Sequence, residues 1–179
     1  MNQNERTRKL TRMGMLIAIS VALVYFIHFP LFPSAPFLEY DPADIPIFIA
    51  AFMYGPFAGL AVTVIASVIQ GITVSAASGP IGIIMHILAT GSFAVVAGSI
   101  YKLNKTRKGA AIALIAGVIT MVVVMCGCNL IFMPIYTGAP VSVIVSMLIP
   151  VIIPFNLIKA GANAVITFIL YKSISQIMK

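Results

Sequence analysis

Apart from Lys159, every Lys and Arg of this 179-residue chain falls in one of three short clusters, and the stretches between them are apolar. The clusters are Arg6, Arg8, Lys9 and Arg12, then Lys102, Lys105, Arg107 and Lys108, then Lys172 and Lys179. Apolar runs occupy 13–29, 46–70, 80–101, 109–134 and 141–171. A helix needs roughly 20 residues to cross the hydrocarbon of a bilayer, so the plainest reading is five spans. Only 8% of the residues are charged and 61% are hydrophobic, whereas soluble domains carry roughly 25% charged residues. A water-exposed surface cannot be built from this composition. A soluble enzyme, a nucleic-acid module and a disordered chain are excluded. The net charge of +7 then reads as topogenic charge at a membrane face rather than as a polyanion site.

The positive-inside rule puts all three clusters on the cytoplasmic side. With an inside N-terminus, residue 101 must then close an even-numbered span, and five spans fail that condition. Gly55-Pro56 supplies the missing break, because proline cannot continue a helix interior. Splitting there predicts helix 2 over 44–54 and helix 3 over 56–72. The predicted fold is an all-α integral membrane protein with six transmembrane helices, a short helix 2, an outer lid loop and both termini cytoplasmic. It forms one domain, 1–179, with a basic cytoplasmic tail at 1–12, an outer loop at 30–43 and a cytoplasmic basic loop at 102–108. The stretch from Met13 runs into Pro30 with no small-residue cleavage site, so it reads as a first span, not a cleaved signal. Eleven residues of helix 2 rise only about 16 Å. Loop backbone must therefore dip in to meet it, which is tolerated only where protein buries it or a cavity adjoins it.

Three of the four acids, Glu39, Asp41 and Asp44, lie in FLEYDPADIP of that loop. Its prolines stiffen it, and Asp44 reads as the N-cap of helix 2. The loop is either a stiffened solvated connection or a lid, in which Phe37 and Tyr40 would offer aromatic surface to a flat ligand. Lys159 is the one cation inside a predicted span. It lies about 20 Å from the cytoplasmic edge at 1.5 Å per residue, in the outer half of the bilayer. Asn156, Lys159 and Asn163 share a helix face, and Asn129 lies at comparable depth. Lys159 either snorkels to the outer surface or pairs with Glu39 or Asp41 for stability, or it joins the Asn amides as a donor set for a heterocycle rich in carbonyls and ring nitrogens.

Other features are less specific. His86 reads as a hydrogen-bonded helix residue rather than a metal ligand, and His28 as interfacial. Cys126 and Cys128 lack partners for a zinc site and read as inert membrane thiols. No catalytic constellation is visible, so the chain is not expected to be an enzyme, and neither a cofactor nor a metal is implied. Gly14, Ala18 and Ala22 form a small-residue stripe on helix 1, suited either to internal packing or to docking of a separate membrane subunit.

Tyr40-Asp41-Pro42-Ala43-Asp44-Ile45-Pro46 with Phe52 and Gly55-Pro56, Gly79-Pro80-Ile81-Gly82, Asn129 with Pro134 and Tyr136, and Pro154-Phe155-Asn156-Leu157-Ile158-Lys159 together resemble one known family. It is the S component, or substrate-binding subunit, of energy-coupling factor (ECF) vitamin transporters, most closely the riboflavin type. The resemblance covers nearly the whole chain. It implies a subunit of the bacterial cell membrane that captures its vitamin from outside under a lid loop. A transmembrane coupling subunit and two ATPase subunits would supply the energy. It further implies that Asn129, Asn156 and Lys159 hold the isoalloxazine ring, that Tyr40 and Asp41 cover it, and that the stripe at Gly14, Ala18 and Ala22 contacts the coupling subunit. Riboflavin is thus a transported ligand, not a cofactor. Rival readings are another vitamin or precursor (folate, pantothenate or a thiamin precursor), or a stand-alone secondary transporter. The latter would usually show an intramembrane carboxylate for coupling.

Overall fold

The computed structural model describes residues 3–33, 35 and 38–177, with side chains to residue 173. Phe37 of the expected lid and Lys179 of the third basic cluster lie outside the described residues. The described chain is mostly helical: α1 (Gln3–Phe26), α2 (Asp44–Tyr54), α3 (Pro56–Ile72), α4 (Gly79–Leu103), α5 (Arg107–Thr137), α6 (Val141–Met147) and α7 (Ile153–Ile177). Among the described residues, four helical stretches are long and apolar enough to cross a membrane: Gln3–Phe26, Ala76–Leu103, Arg107–Thr137 and Val141–Ser173. The apolar helices α2 and α3 are shorter. Large apolar side chains such as Ile115, Ile119, Val123, Ile131 and Val165 stand exposed, as a lipid-facing surface requires.

The bounds of α2 and α3 are those predicted from Gly55-Pro56. Gly55 has φ +93°, a conformation that costs a residue with a Cβ but not glycine, and Pro56 opens α3 at a position where its missing N–H is harmless. Every residue of α2 from Asp44 to Phe52 is buried. A helix apolar all round belongs at the centre of a protein, and α2 packs against α1, α3, α4 and α7. Phe48 stacks on Phe93 of α4, with ring centroids 3.6 Å apart. Phe52 stacks on Tyr101 at 4.2 Å and meets the edge of Tyr171. Helices α2, α3 and α4 approach closely where side chains are small: a Cβ built on Gly59 would come 2.6 Å from that of Ala51.

Three features go beyond what the sequence predicts. The basic stretch 1–12 is helical from Gln3, α1 carrying residues 3–12 as its first turns. The run 141–171 is not one regular helix: α6 passes through a π-helical stretch, Leu148–Ile152, into α7. Pro150 and Pro154 explain this, since a proline ring clashes with the carbonyl four residues back and a π turn relieves that conflict. The outer loop is not wholly irregular either. Phe29–Pro30 (β1) and Glu39–Tyr40 (β2) form a minimal antiparallel ladder. Between these strands, Leu31, Phe32, Ala35 and Leu38 pack with Val151 and Phe155. The loop is thereby pinned over the π turn and the start of α7.

Candidate functional site

Asp44 is not an N-cap. It is the first residue of α2, the preceding Ala43 makes no side-chain cap, and the Asp44 carboxylate is fully buried. It accepts from Thr90 Oγ1 of α4 at 3.0 Å and pairs with His86 Nε2 at 3.1 Å. Asn163 Nδ2 of α7 approaches its other oxygen at 3.5 Å. A carboxylate acceptor requires the proton on His86 Nε2. The other ring nitrogen of His86 lies 2.8 Å from Ser67 Oγ of α3. A buried carboxylate is tolerable only when so surrounded, and its partners come from two helices, α4 and α7.

The same network holds the outer loop. Asn163 donates from Nδ2 to the Asp41 carbonyl at 3.0 Å and accepts at Oδ1 from Tyr40 Oη at 3.0 Å. Lys159 donates to Asp41 Oδ2 at 2.6 Å, while the other Asp41 oxygen accepts from the Ala43 N–H at 3.0 Å. Ser20 of α1 donates to the Ala43 carbonyl and accepts from Gln70 of α3. Burial and the neighbouring Asp41 carboxylate raise the Tyr40 phenol above its ordinary pKa, and Lys159 pulls it the other way. The turn Tyr40–Asp44 is therefore fastened to α7 by three side-chain hydrogen bonds and one ion pair.

Below this turn lies a cavity of about 220 Å³ bordered by α4, α5, α7 and the loop. Its polar groups are Asn129, Asn156, Lys159, His86, Glu39, Ser78 and Tyr136, the last donating its hydroxyl proton to the Ala77 carbonyl. A second cavity of about 160 Å³ shares Glu39, Ser78, Gly82, His86 and Lys159 with it. Asn129 and Asn156 each donate one amide proton to the carbonyl four residues earlier, at 2.8 Å. That bond fixes the rotamer and leaves a second N–H and the side-chain carbonyl for a ligand. The rest of the wall is apolar, with Met85, Met121, Met125, Met133 and Phe155. Methionine sulfur and Phe155 suit the faces of an aromatic ring.

Asn129, Asn156 and Lys159, predicted as one donor set, thus border one cavity. Asp41 borders the smaller cavity, and Tyr40 borders neither, because its hydroxyl is turned to Asn163. Lys159 pairs with Asp41, one of the two partners proposed for it, and also borders the cavity. Sequence reasoning missed the hub at Asp44 and the methionine wall. The wall had a signal: Met121, Met125, Asn129 and Met133 recur every four residues along one face of α5. His86 is hydrogen-bonded as expected, and His28 is exposed with Nδ1 against the Val24 carbonyl. Cys126 and Cys128 are free thiols, and among the described residues no cluster of His, Cys, Asp and Glu could hold a metal.

The stripe on α1 faces away from the other helices. Gly14, Ala18 and Ala22 are exposed, a Cβ at Gly14 would meet nothing within 4 Å, and the three line a shallow groove with Ile69 and Thr73. These three positions are thus exposed rather than packed between helices.

With this geometry in view, the chain can be set beside known proteins. It matches the family described as "ECF transporter, substrate-specific component" over residues 8–171. It is 31% identical to the riboflavin transporter FmnP of Bacillus subtilis (strain 168), over 93% of this chain and 91% of that one. It is 30% identical to the riboflavin transporter RibU of Staphylococcus aureus (strain TCH60), over 100% of this chain and 95% of that one. Among solved structures, an S component of a bacterial ECF transporter superimposes with TM-score 0.80 at 31% identity, covering 99% of each chain. The S-component for biotin from an ECF-type ABC transporter shares the fold, with TM-score 0.68 at 19% identity over 96% of this chain and 95% of that one.

Proposed function

The chain belongs to the family of substrate-specific components of ECF transporters, and from that premise we propose that its ligand is riboflavin, captured from outside the cell. The observation that carries this reading is the convergence of Asn129, Asn156 and Lys159 on a cavity otherwise walled by methionines and Phe155. A flavin ring has one polar edge of carbonyls and ring nitrogens and one apolar methylated edge. Two oriented amides and an ammonium match the first edge, and Met and Phe surface matches the second. The named relatives FmnP and RibU support the same ligand.

In this reading the chain spans the membrane six times with both termini cytoplasmic, since only that count puts every basic cluster inside. The 30–43 loop is the lid. Opening it breaks the Tyr40–Asn163 and Asp41–Lys159 bonds and the packing of Leu31, Phe32, Ala35 and Leu38 on Val151 and Phe155. Asn129, Asn156 and Lys159 bind the ring, while Tyr40 and Asp41 act from behind by holding the turn shut. The exposed stripe Gly14, Ala18 and Ala22 is the face offered to a transmembrane coupling subunit, because small residues let helices approach closely in lipid. Two ATPase subunits would then drive release inward by reorienting the subunit. The chain itself performs no catalysis.

The test is an absorbance and fluorescence spectrum of the detergent-purified protein, followed by extraction of any bound small molecule. A yellow preparation releasing riboflavin in a one-to-one ratio is expected. A colourless preparation that also fails to bind added riboflavin would refute the ligand and leave the family membership standing.

A further inference from the structure

The charges around the cavity are unbalanced in a way that bears on which flavin it accepts. They are Glu39 from β2, Asp41 from the turn, Asp44 from α2, His86 from α4 and Lys159 from α7, while α5 contributes neutral groups. Among the described residues Lys159 is the one Lys or Arg bordering either cavity, and its ammonium is already engaged 2.6 Å from Asp41 Oδ2. Glu39 borders both cavities, and among the described residues its carboxylate makes no side-chain hydrogen bond or ion pair. The site thus presents a committed cation and an uncommitted anion.

Building on the riboflavin reading, we propose that Glu39 is a specificity-determining residue, which selects the neutral ribityl alcohol over its 5′-phosphate. A phosphate monoester carries about −1.5 to −2 charge at pH 7. Sites that accept one present Arg forks or a concave run of backbone N–H groups; among the described residues no Arg borders these cavities, and where the first turn of α4 reaches them, at Gly82, Glu39 borders the same two cavities. A free carboxylate does the opposite on two counts. It accepts hydrogen bonds from the hydroxyls of a polyol, and it repels an anion arriving at the same place. Specificity of this kind rests on a repulsive group as much as on attractive ones. Glu39 is exposed, so the repulsion is screened over about 8 Å at physiological salt.

The whole detergent-purified protein is titrated with riboflavin and with riboflavin 5′-phosphate by flavin fluorescence quenching, in the wild type, Glu39→Gln and Glu39→Lys. The wild type should bind the phosphate more weakly. The ratio of the two Kd values should shrink about five- to tenfold in Glu39→Gln, the size expected of one partly screened charge, and further in Glu39→Lys. Raising the salt should narrow the wild-type ratio as well. An unchanged ratio in both variants, with riboflavin still bound by the wild type, would overturn the assignment. A wild type that binds neither flavin would instead refute the riboflavin reading, and this inference with it.

Discussion

Replacing Lys159 by Met separates the ion pair that the structure shows from the ligand contact proposed for the same side chain. The ammonium is 13% exposed, its Asp41 partner 14%, and the bond between them is 2.6 Å long. Removing one partner of such a pair leaves the other charge without compensation, at a cost of about 3–5 kcal/mol for a buried pair. Water reaching the rim of this site lowers that, and about 2–3 kcal/mol is the expectation for Lys159→Met. Asp41→Asn in the same chain removes the orphaned charge. Asparagine keeps an oxygen to accept from the Ala43 N–H, so most of the stability should return. Ligand affinity should not. An ammonium donating to a flavin carbonyl is worth about 1.5–3 kcal/mol, so the double variant should still bind riboflavin roughly ten- to 150-fold more weakly than wild type. Asp41→Asn alone should bind with an affinity closer to wild type. The assays are thermal unfolding in detergent and flavin fluorescence quenching on all four members of the cycle. Recovery of both stability and affinity in the double variant would refute the reasoning, reducing Lys159 to a counter-ion that never touches ligand.

Other substitutions test neighbouring parts of the site. Asn129→Leu and Asn156→Leu should each weaken riboflavin binding about ten- to 100-fold with little change in melting temperature, because their only side-chain bonds within the described protein are to the carbonyls four residues earlier; titration beside a melting curve checks this. Asp44→Ala should destabilise the whole subunit by more than about 3 kcal/mol, since it strips an acceptor from Thr90 and His86 and a neighbour from Asn163; loss of a monodisperse peak in size exclusion is the expected readout. Gly14→Leu and Ala22→Leu should leave riboflavin titrations unchanged, because both positions face outward, yet should abolish co-purification with a coupling subunit. Normal co-purification would remove the stripe from that role.

Local chemistry explains what could be read before the structure. A Gly-Pro pair acts on its own few residues, through a φ of +93° at Gly55 and a missing N–H at Pro56, so both helix bounds followed from sequence. Lys159 stood out because a cation in an apolar run needs a partner wherever the chain folds. Asp44 did not stand out, because a carboxylate at a helix start already has a local explanation as a cap. Its true partners, His86 and Thr90, are 42 and 46 residues away, and no spacing rule connects them. The π turn at Leu148–Ile152 lies between these cases. Prolines at 150 and 154 carry the conflict, but periodicity over 141–171 conceals it.

Asp44 and Lys159 also explain why α2 is short. A full-length span there would carry its N-terminus to the outer surface and leave Asp44 in water, free of any helix neighbour. Beginning α2 inside the protein instead puts its first carboxylate level with His86 and Thr90 of α4 and Asn163 of α7. Those partners satisfy a fully buried charge, and they draw the loop down with it. Backbone that cannot face lipid is thereby held by Ser20, Asn163 and Lys159 over the one place where Asn129 and Asn156 offer free amide groups. The truncated helix and the inward loop thus meet at a single buried carboxylate beside the cavity. This makes a distinct demand on Asp44→Asn: an amide can still accept from Thr90 and His86, so the subunit should fold. Its loop should loosen, and riboflavin should dissociate faster in stopped-flow measurements; an unchanged dissociation rate would detach the Asp44 network from the lid.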